Sequence, residues 1–194
     1  MDYLETKDIV LVLMIQRIPL VHVVIIEKKT IVVAIYMLKY VDTMETFSEV
    51  PDEITLAINI SNCPGKCPGC HSPYLQEDIG EELKPVVVSD LIAKHLGISC
   101  IAFLGGDNDI PTLSKILKWV KNNSELKTCW YSGKDILRQV DKDMVFPYLD
   151  YLKYGSYKEE LGPLNSPTTN QKFLKKMEDE WVDITKKFQV DKTN

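Results

Sequence analysis

Residues 54–71 read ITLAINISNCPGKCPGCH, a stretch that joins an apolar run to a cluster of three cysteines. The run 54–60 is short, and rich in Ile and Leu, which predicts a buried strand. Two prolines and two glycines follow, so the next segment is not helical and its backbone can curl around a central object. Cys63, Cys67 and Cys70 are therefore expected on one loop that leaves directly from a strand.

Downstream of this loop, apolar patterns with strand and helix spacing alternate. The sequence predicts strands at 99–104, 126–131 and 148–154, and helices at 87–96, 111–120 and 135–140. Ser89 and Asp90 are candidate caps for the first of these helices, and the second has Leu113, Ile116, Leu117 and Val120 on one face. Such alternation is typical of an α/β fold with a mostly parallel sheet.

Residues 1–36 differ in character from the rest and are interpreted as a hydrophobic N-terminal extension, with 37–194 as the functional domain. The apolar runs 9–15, 20–26 and 31–38 are separated by polar residues or proline, and each is too short to span a bilayer. Their β-branched residues favour additional short strands. A weak membrane anchor, and a chain start upstream of the functional one, are the alternatives.

Composition narrows the class of function. The 194 residues are 45% hydrophobic and 26% charged, as in an ordinary folded protein. With 23 basic and 28 acidic residues the net charge is −5, which argues against nucleic acid as a partner. Five cysteines, three of them clustered, fit a metal site in a reducing cytoplasm better than a disulfide framework.

Three thiolates on one loop suit a soft metal centre. A structural zinc ion requires four protein ligands. His71 is the nearby candidate for the fourth, but it is adjacent to Cys70 in sequence, which makes it difficult for both side chains to bind the same ion. Cys100 and Cys129 belong to predicted strands, where they are expected to be buried thiols. Three cysteines alone imply an iron–sulfur cubane with one iron left open, and a zinc site with a fourth ligand is the alternative.

The spacing C-x3-C-x2-C after a strand resembles the radical S-adenosylmethionine superfamily, and Cys-Pro-Gly-Cys-His is similar to the loop of the small activating proteins of anaerobic ribonucleotide reductase. The residue before the third cysteine is usually aromatic in the superfamily, but here it is Gly69. Residues 103–107, FLGGD, resemble the Gly-Gly-Glu motif with Asp in place of Glu. Further similar segments are WYSG at 130–133, DYLK at 150–153 and SPTTNQ at 166–171.

The resemblance implies an incomplete, open (β/α) barrel with a [4Fe–4S] cluster held by Cys63, Cys67 and Cys70. Seven residues are implied as S-adenosylmethionine contacts: Gly69, Cys70, His71, Gly105, Gly106, Asp107 and Lys153. Asp107 would accept from the amine or cap the helix near 111, and Lys153 would meet a carboxylate or be a solvated side chain. No catalytic side chain is implied beyond the cluster and cofactor.

The resemblance also implies a function. Reduced flavodoxin or ferredoxin would supply an electron for cleavage of S-adenosylmethionine, and the resulting radical would generate a glycyl radical on the large subunit of anaerobic ribonucleoside-triphosphate reductase. Two alternatives remain at this point. One is a small radical S-adenosylmethionine enzyme acting on another substrate, and the other is a zinc-binding interaction module.

Overall fold

The computed structural model describes residues 21–26, 29–34 and 37–189 and divides the chain into two units, 1–37 and 38–194. In the first unit, strands β1 (Val21–Ile26) and β2 (Lys29–Ala34) pair antiparallel. Both lie largely within apolar runs of the sequence, as their β-branched residues favour. The run 9–15 lies outside the described residues, and the role of 1–36 as an extension stays a prediction.

The second unit contains one eight-stranded sheet. Its strands are β3 (Lys39–Thr46), β4 (Thr55–Ile60), β5 (Glu81–Glu82), β6 (Cys100–Leu104), β7 (Lys127–Tyr131), β8 (Tyr151–Tyr154), β9 (Lys172–Met177) and β10 (Glu180–Asp183). They lie in the order β10-β9-β8-β7-β6-β4-β3-β5. Because β5 and β10 are at opposite ends of this order, the sheet is open.

Three helices connect the central strands, which are parallel. They are α1 (Pro85–Lys94) between β4 and β6, α2 (Ile110–Asn123) between β6 and β7, and α3 (Gln139–Val145) between β7 and β8. This is the arrangement expected when strands and helices alternate along the chain. Three short 3-10 turns, Pro73–Gln76, Phe146–Tyr148 and Thr185–Phe188, complete the described elements.

The sheet is mixed, which corrects the expectation of mostly parallel strands. Strands β4, β6, β7 and β8 are parallel, but β3 and β5 on one side, and β9 and β10 on the other, pair antiparallel with their neighbours. Short connections account for two of these pairings, β3 with β4 and β9 with β10, because a parallel crossover needs about a dozen residues or more. β9 and β10 are separated by only two residues, 178 and 179.

Apolar residues cover both faces of the central strands. Along β6, Ile101 and Phe103 pack on the face that bears the helices, whereas Cys100 and Ala102 belong to a second core on the opposite face. This alternation follows from the two-residue period of a strand. Cys129 joins Cys100 in the second core, so both cysteines are buried thiols as expected.

The helix boundaries differ from the sequence prediction, most clearly at the starts of α1 and α3. α1 begins at Pro85, so Ser89 and Asp90 lie inside it and do not cap it. Proline is favoured in the first helical turn because it lacks the N–H that would be unsatisfied there. The short helix expected at 135–140 is α3, which begins four residues later, at Gln139.

Candidate iron–sulfur and cofactor site

The cysteine loop leaves β4 and is closed at its base by two backbone hydrogen bonds. The N–H of Asn62 donates to the carbonyl of Glu77, and that of Cys63 donates to the carbonyl of Leu75, both at 2.9 Å. Asn62 has a φ of 57°, a left-handed conformation that asparagine tolerates better than most residues. The turn at Asn62 and this clamp define where the loop starts and returns.

The three thiols of the loop are free and half-buried. A Cβ on Gly65 would lie 3.4 Å from the Sγ of Cys63 and 3.7 Å from the Sγ of Cys67, so glycine leaves room between two sulfurs. The N–H of Cys70 donates to the carbonyl of Cys67 at 3.2 Å, which turns the third cysteine back toward the others. Three soft sulfur donors on one loop are the kind of ligand that an iron–sulfur cluster requires.

Burial is the main influence on the thiol of Cys63 and raises its pKa above the ordinary value. The carboxylate of Asp107 adds to this effect, whereas a hydrogen bond from the N–H of Gly65 lowers the pKa. Coordination to a metal deprotonates a thiol outright. Gly65 therefore contributes twice, through the space beside the sulfurs and through a donor that favours the thiolate.

Residues 37–189 and the two strands of the first unit contain no three Cys, His, Asp or Glu side chains grouped closely enough to hold a single metal ion. The ring of His71 lies edge-on to Tyr157, with ring centroids 5.5 Å apart.

Gly105 and Gly106 end β6 beside the cysteine loop's own strand. Their φ angles are 111° and 92°, a region that side chains rarely adopt. A Cβ on Gly105 would lie 3.0 Å from the carbonyl oxygen of Ile60, and one on Gly106 would contact the side chains of Ile60 and Leu113. The positive φ therefore favours glycine at both positions, and the close approach of the β4 backbone adds a steric reason at Gly105.

Asp107 joins the ends of β6 and β7. One carboxylate oxygen accepts from the hydroxyl of Ser132 at 2.6 Å, and the other accepts from the N–H of Gly133 at 2.7 Å. The helix-cap alternative for Asp107 is wrong, because Asp109 caps α2 by accepting from the N–H of Thr112 at 3.1 Å. Asp107 shapes the turn after β7 instead.

Lys153 lies on β8, the last of the parallel strands, and its amine is largely buried. Its Nζ donates to the carbonyl of Gly155 at 2.9 Å, and burial lowers its pKa to about 8. The charges of Asp107, Cys67 and Asp135 oppose this effect. The residue is thus a partly dehydrated cation and not a solvated side chain.

An open cavity of about 830 Å³ lies at the carboxyl ends of the parallel strands, where ligands of open α/β sheets bind. Six of the predicted site residues line it: Cys63, Cys70, His71, Gly105, Asp107 and Lys153. Cys67, Gly69 and Gly106 are not among the lining residues. The cavity has the size of a small-molecule site.

The cavity is also lined by residues outside the predicted contact set, among them Phe47, Tyr131, Tyr157 and Gln171. Tyr131 donates its hydroxyl to the carbonyl of Glu49 at 2.5 Å, and burial raises its pKa well above the ordinary value. Alternation along β7 could have placed Tyr131 on the same face as Cys129. No sequence signal distinguishes Tyr157 from the other tyrosines.

Comparison with known protein families matches residues 54–186 to the family described as 4Fe-4S single cluster domain. Because this match covers well over half of the chain, the protein belongs to that family, and the predicted iron–sulfur character is supported at that level. Neither the curated proteins nor the solved structures contain a significant match. Among the described residues, no helix has the length and apolar character needed to cross a membrane.

Proposed function

We propose that this protein is a radical S-adenosylmethionine enzyme that activates anaerobic ribonucleoside-triphosphate reductase by generating a glycyl radical on its large subunit. One observation carries the proposal. The half-buried thiols of Cys63 and Cys70, the strand-ending Gly105 and the buried amine of Lys153 border a single open cavity. The open iron implied by three cysteines would face a space large enough for a nucleoside cofactor.

Cys63, Cys67 and Cys70 would hold the [4Fe–4S] cluster. When bound, the cluster would supply the electron, taken from reduced flavodoxin or ferredoxin, for the reductive cleavage of S-adenosylmethionine that leads to a glycyl radical on the partner. The chain's own task is to hold the reactants and exclude water.

Different residues of the cavity would hold different parts of the cofactor. The backbone of Cys70 and His71 would run beside the adenine, and the turn at Gly105 would expose peptide groups to the methionine part of the cofactor. Lys153 would pair with the methionine carboxylate, since a partly dehydrated ammonium gains most from such a partner. Asp107 would act by fixing the turn at Ser132.

The shape of the site is suited to a protein substrate. The sheet is open, and the cavity is not closed over by the described residues. Phe47 lines its edge with 76% of its surface exposed, and an aromatic side chain at such a position is typical of a surface that another protein covers. A loop of the reductase would complete the wall of the cavity.

Anaerobic reconstitution tests the proposal. The full chain is loaded with iron and sulfide, reduced with dithionite and examined by EPR with and without S-adenosylmethionine, with Cys67→Ser as the matched variant. A [4Fe–4S]⁺ signal that changes shape on adding S-adenosylmethionine is expected. The reductase then supplies the second readout, a glycyl radical formed only with the loaded protein. Tightly held zinc without iron uptake would overturn the proposal.

A further inference from the structure

Tyr157 forms the wall of the cavity next to the third cysteine of the loop. It lies three residues after β8, half-buried, and its ring stands edge-on to His71 at 61° with centroids 5.5 Å apart. Tyr157, Cys70 and His71 all line the cavity. An aromatic surface thus stands beside the three cysteines, although residues 63–71, which carry them, contain no Phe, Tyr or Trp.

Position 69 of the cysteine loop does not suit an aromatic residue. Gly69 has a φ of 68°, a conformation that side chains rarely adopt. A Cβ there would lie 3.0 Å from a carboxylate oxygen of Glu159, at the end of an exposed side chain that can move away. The segment after β8 contacts the loop at two points, with the side chain of Glu159 against Gly69 and Tyr157 against His71, and it supplies the aromatic ring.

The backbone next to Tyr157 is held by several hydrogen bonds. Ser156 donates its N–H and its hydroxyl to one oxygen of Asp135, each at 2.9 Å, and its carbonyl accepts from the side chain of Asn170, also at 2.9 Å. These bonds lower the pKa of Asp135 below its ordinary value. Tyr157 is therefore presented by a fixed support, which reduces the entropy lost when a ligand contacts its ring.

The hydroxyl of Tyr157 makes no hydrogen bond to any residue in the described ranges, so the ring is not oriented by a polar partner. What it offers the cavity is an aromatic surface within reach of Cys70. A purine base is the part of a nucleoside cofactor that such a surface binds, because stacking requires only two π systems and tolerates a mobile sugar.

We infer that Tyr157 is a binding residue for the adenine of S-adenosylmethionine. This inference rests on the proposed function, since it names the residue that recognises the nucleoside end of the same cofactor. Lys153 and Gly105 bind the methionine end, and Tyr157 stacks against the base. The ring also shields the space beside Cys70 from water.

Binding of S-adenosylmethionine to the reconstituted, unreduced full chain tests the inference without turnover. The variants are Tyr157→Leu, Tyr157→Ala and Tyr157→Phe, with Tyr74→Leu as a control, because Tyr74 is exposed and does not line the cavity. Each is measured by equilibrium dialysis after its iron content is matched to the parent. Tyr157→Leu and Tyr157→Ala should bind about 10-fold more weakly or worse. Tyr157→Phe and Tyr74→Leu should bind like the parent.

The outcomes distinguish failure of the role of Tyr157 from failure of the proposed function. Tight binding by the parent and equally tight binding by Tyr157→Leu would overturn the role of Tyr157 and leave the proposed function standing. A large loss in Tyr157→Phe would also overturn it, because stacking does not need the hydroxyl. Absence of binding by the iron-loaded parent would overturn the proposed function itself, and the inference with it.

Discussion

The carboxylate of Asp107 accepts a 2.6 Å hydrogen bond from the hydroxyl of Ser132, and these two residues end neighbouring parallel strands. The N–H of Ser132 in turn donates to the carbonyl of Lys153 at 2.8 Å. The ends of β6, β7 and β8 are thereby linked in series. This linkage sets the spacing of Gly105 and Lys153 along the cavity.

Asp107→Asn should destabilise the apoprotein by about 1–3 kcal/mol, because one oxygen becomes an amide that faces a hydrogen-bond donor, the hydroxyl of Ser132 or the N–H of Gly133. Asp109→Asn, two residues away, is the matched control, since asparagine caps a helix as well as aspartate does. Urea unfolding measures both. A cost for Asp109→Asn equal to that of Asp107→Asn would contradict the assigned role.

Replacement of any one of Cys63, Cys67 and Cys70 by serine should remove most of the iron and the EPR signal of the reconstituted protein. A cubane with only two protein thiolates lacks the ligands that hold it. Cys129→Ala is the control, because Cys129 is fully buried in the second core. It should retain the iron while losing about 1 kcal/mol of stability. Iron loss equal to that of Cys63→Ser would show that Cys129 is a ligand.

Sequence patterns predicted the central strands and α2 because those elements are covered on one or both faces and their apolar residues repeat. Strand β3 was missed because it alternates between half-buried and exposed residues with several polar side chains. Strands β9 and β10 were not predicted either, because half of the residues in each are charged, as is common near the edge of a sheet. In each case tertiary pairing outweighed local composition.

The candidate site was predictable only where its residues are close in sequence. The cysteine loop and the Gly-Gly turn are local features, and their spacing is visible without a structure. The hydrogen bond between Asp107 and Ser132 joins residues 25 positions apart, and the contact of Tyr157 with His71 spans a still longer separation. Such contacts depend on the order of strands in the sheet, which no local pattern specifies.

Glu53→Gln should lower the free energy of unfolding by about 2–3 kcal/mol. Glu53 is 6% exposed and accepts hydrogen bonds from Lys127 at 2.5 Å, Ser99 at 2.7 Å and Tyr151 at 2.8 Å. Burial is the largest influence on its pKa and raises it, but these three donors together lower the pKa below the ordinary value.

A glutamate whose pKa is lower in the folded state stabilises the protein above its unfolded pKa, and this contribution disappears as the pH falls through the folded value. The parent should therefore lose more stability on acidification than Glu53→Gln does, as measured by urea unfolding between neutral and acidic pH. Glu180→Gln, at an exposed position on β10, should leave the acid dependence unchanged. Parallel acid profiles for the parent and Glu53→Gln would contradict this.

A shortened chain that begins at Met37 should fold and take up the same amount of iron as the full chain. All eight strands of the mixed sheet and all nine predicted site residues belong to the unit 38–194. The strands β1 and β2 pair with each other. Iron content and the thermal unfolding midpoint compare the two chains, and loss of iron binding would show that residues 1–36 contribute to the fold.

Lys153 should make the stability of the apoprotein rise with pH above about 8. Burial lowers its pKa to about 8 in the folded chain, whereas an unfolded lysine titrates near about 10.4. Between these values the unfolded chain retains a proton that the folded chain has released, so the free energy of unfolding increases with pH. The complete increase is about 3 kcal/mol.

Lys153→Met isolates this effect, because all other groups, including the thiols, titrate in both proteins. Urea unfolding under reducing conditions between pH 7 and 10 should show Lys153→Met more stable than the parent at neutral pH, by up to about 3 kcal/mol. The difference should shrink as the pH rises, since the parent no longer has to bury a charge. A difference that stays constant with pH would mean that Lys153 keeps an ordinary pKa. The description of its amine as partly dehydrated would then be wrong.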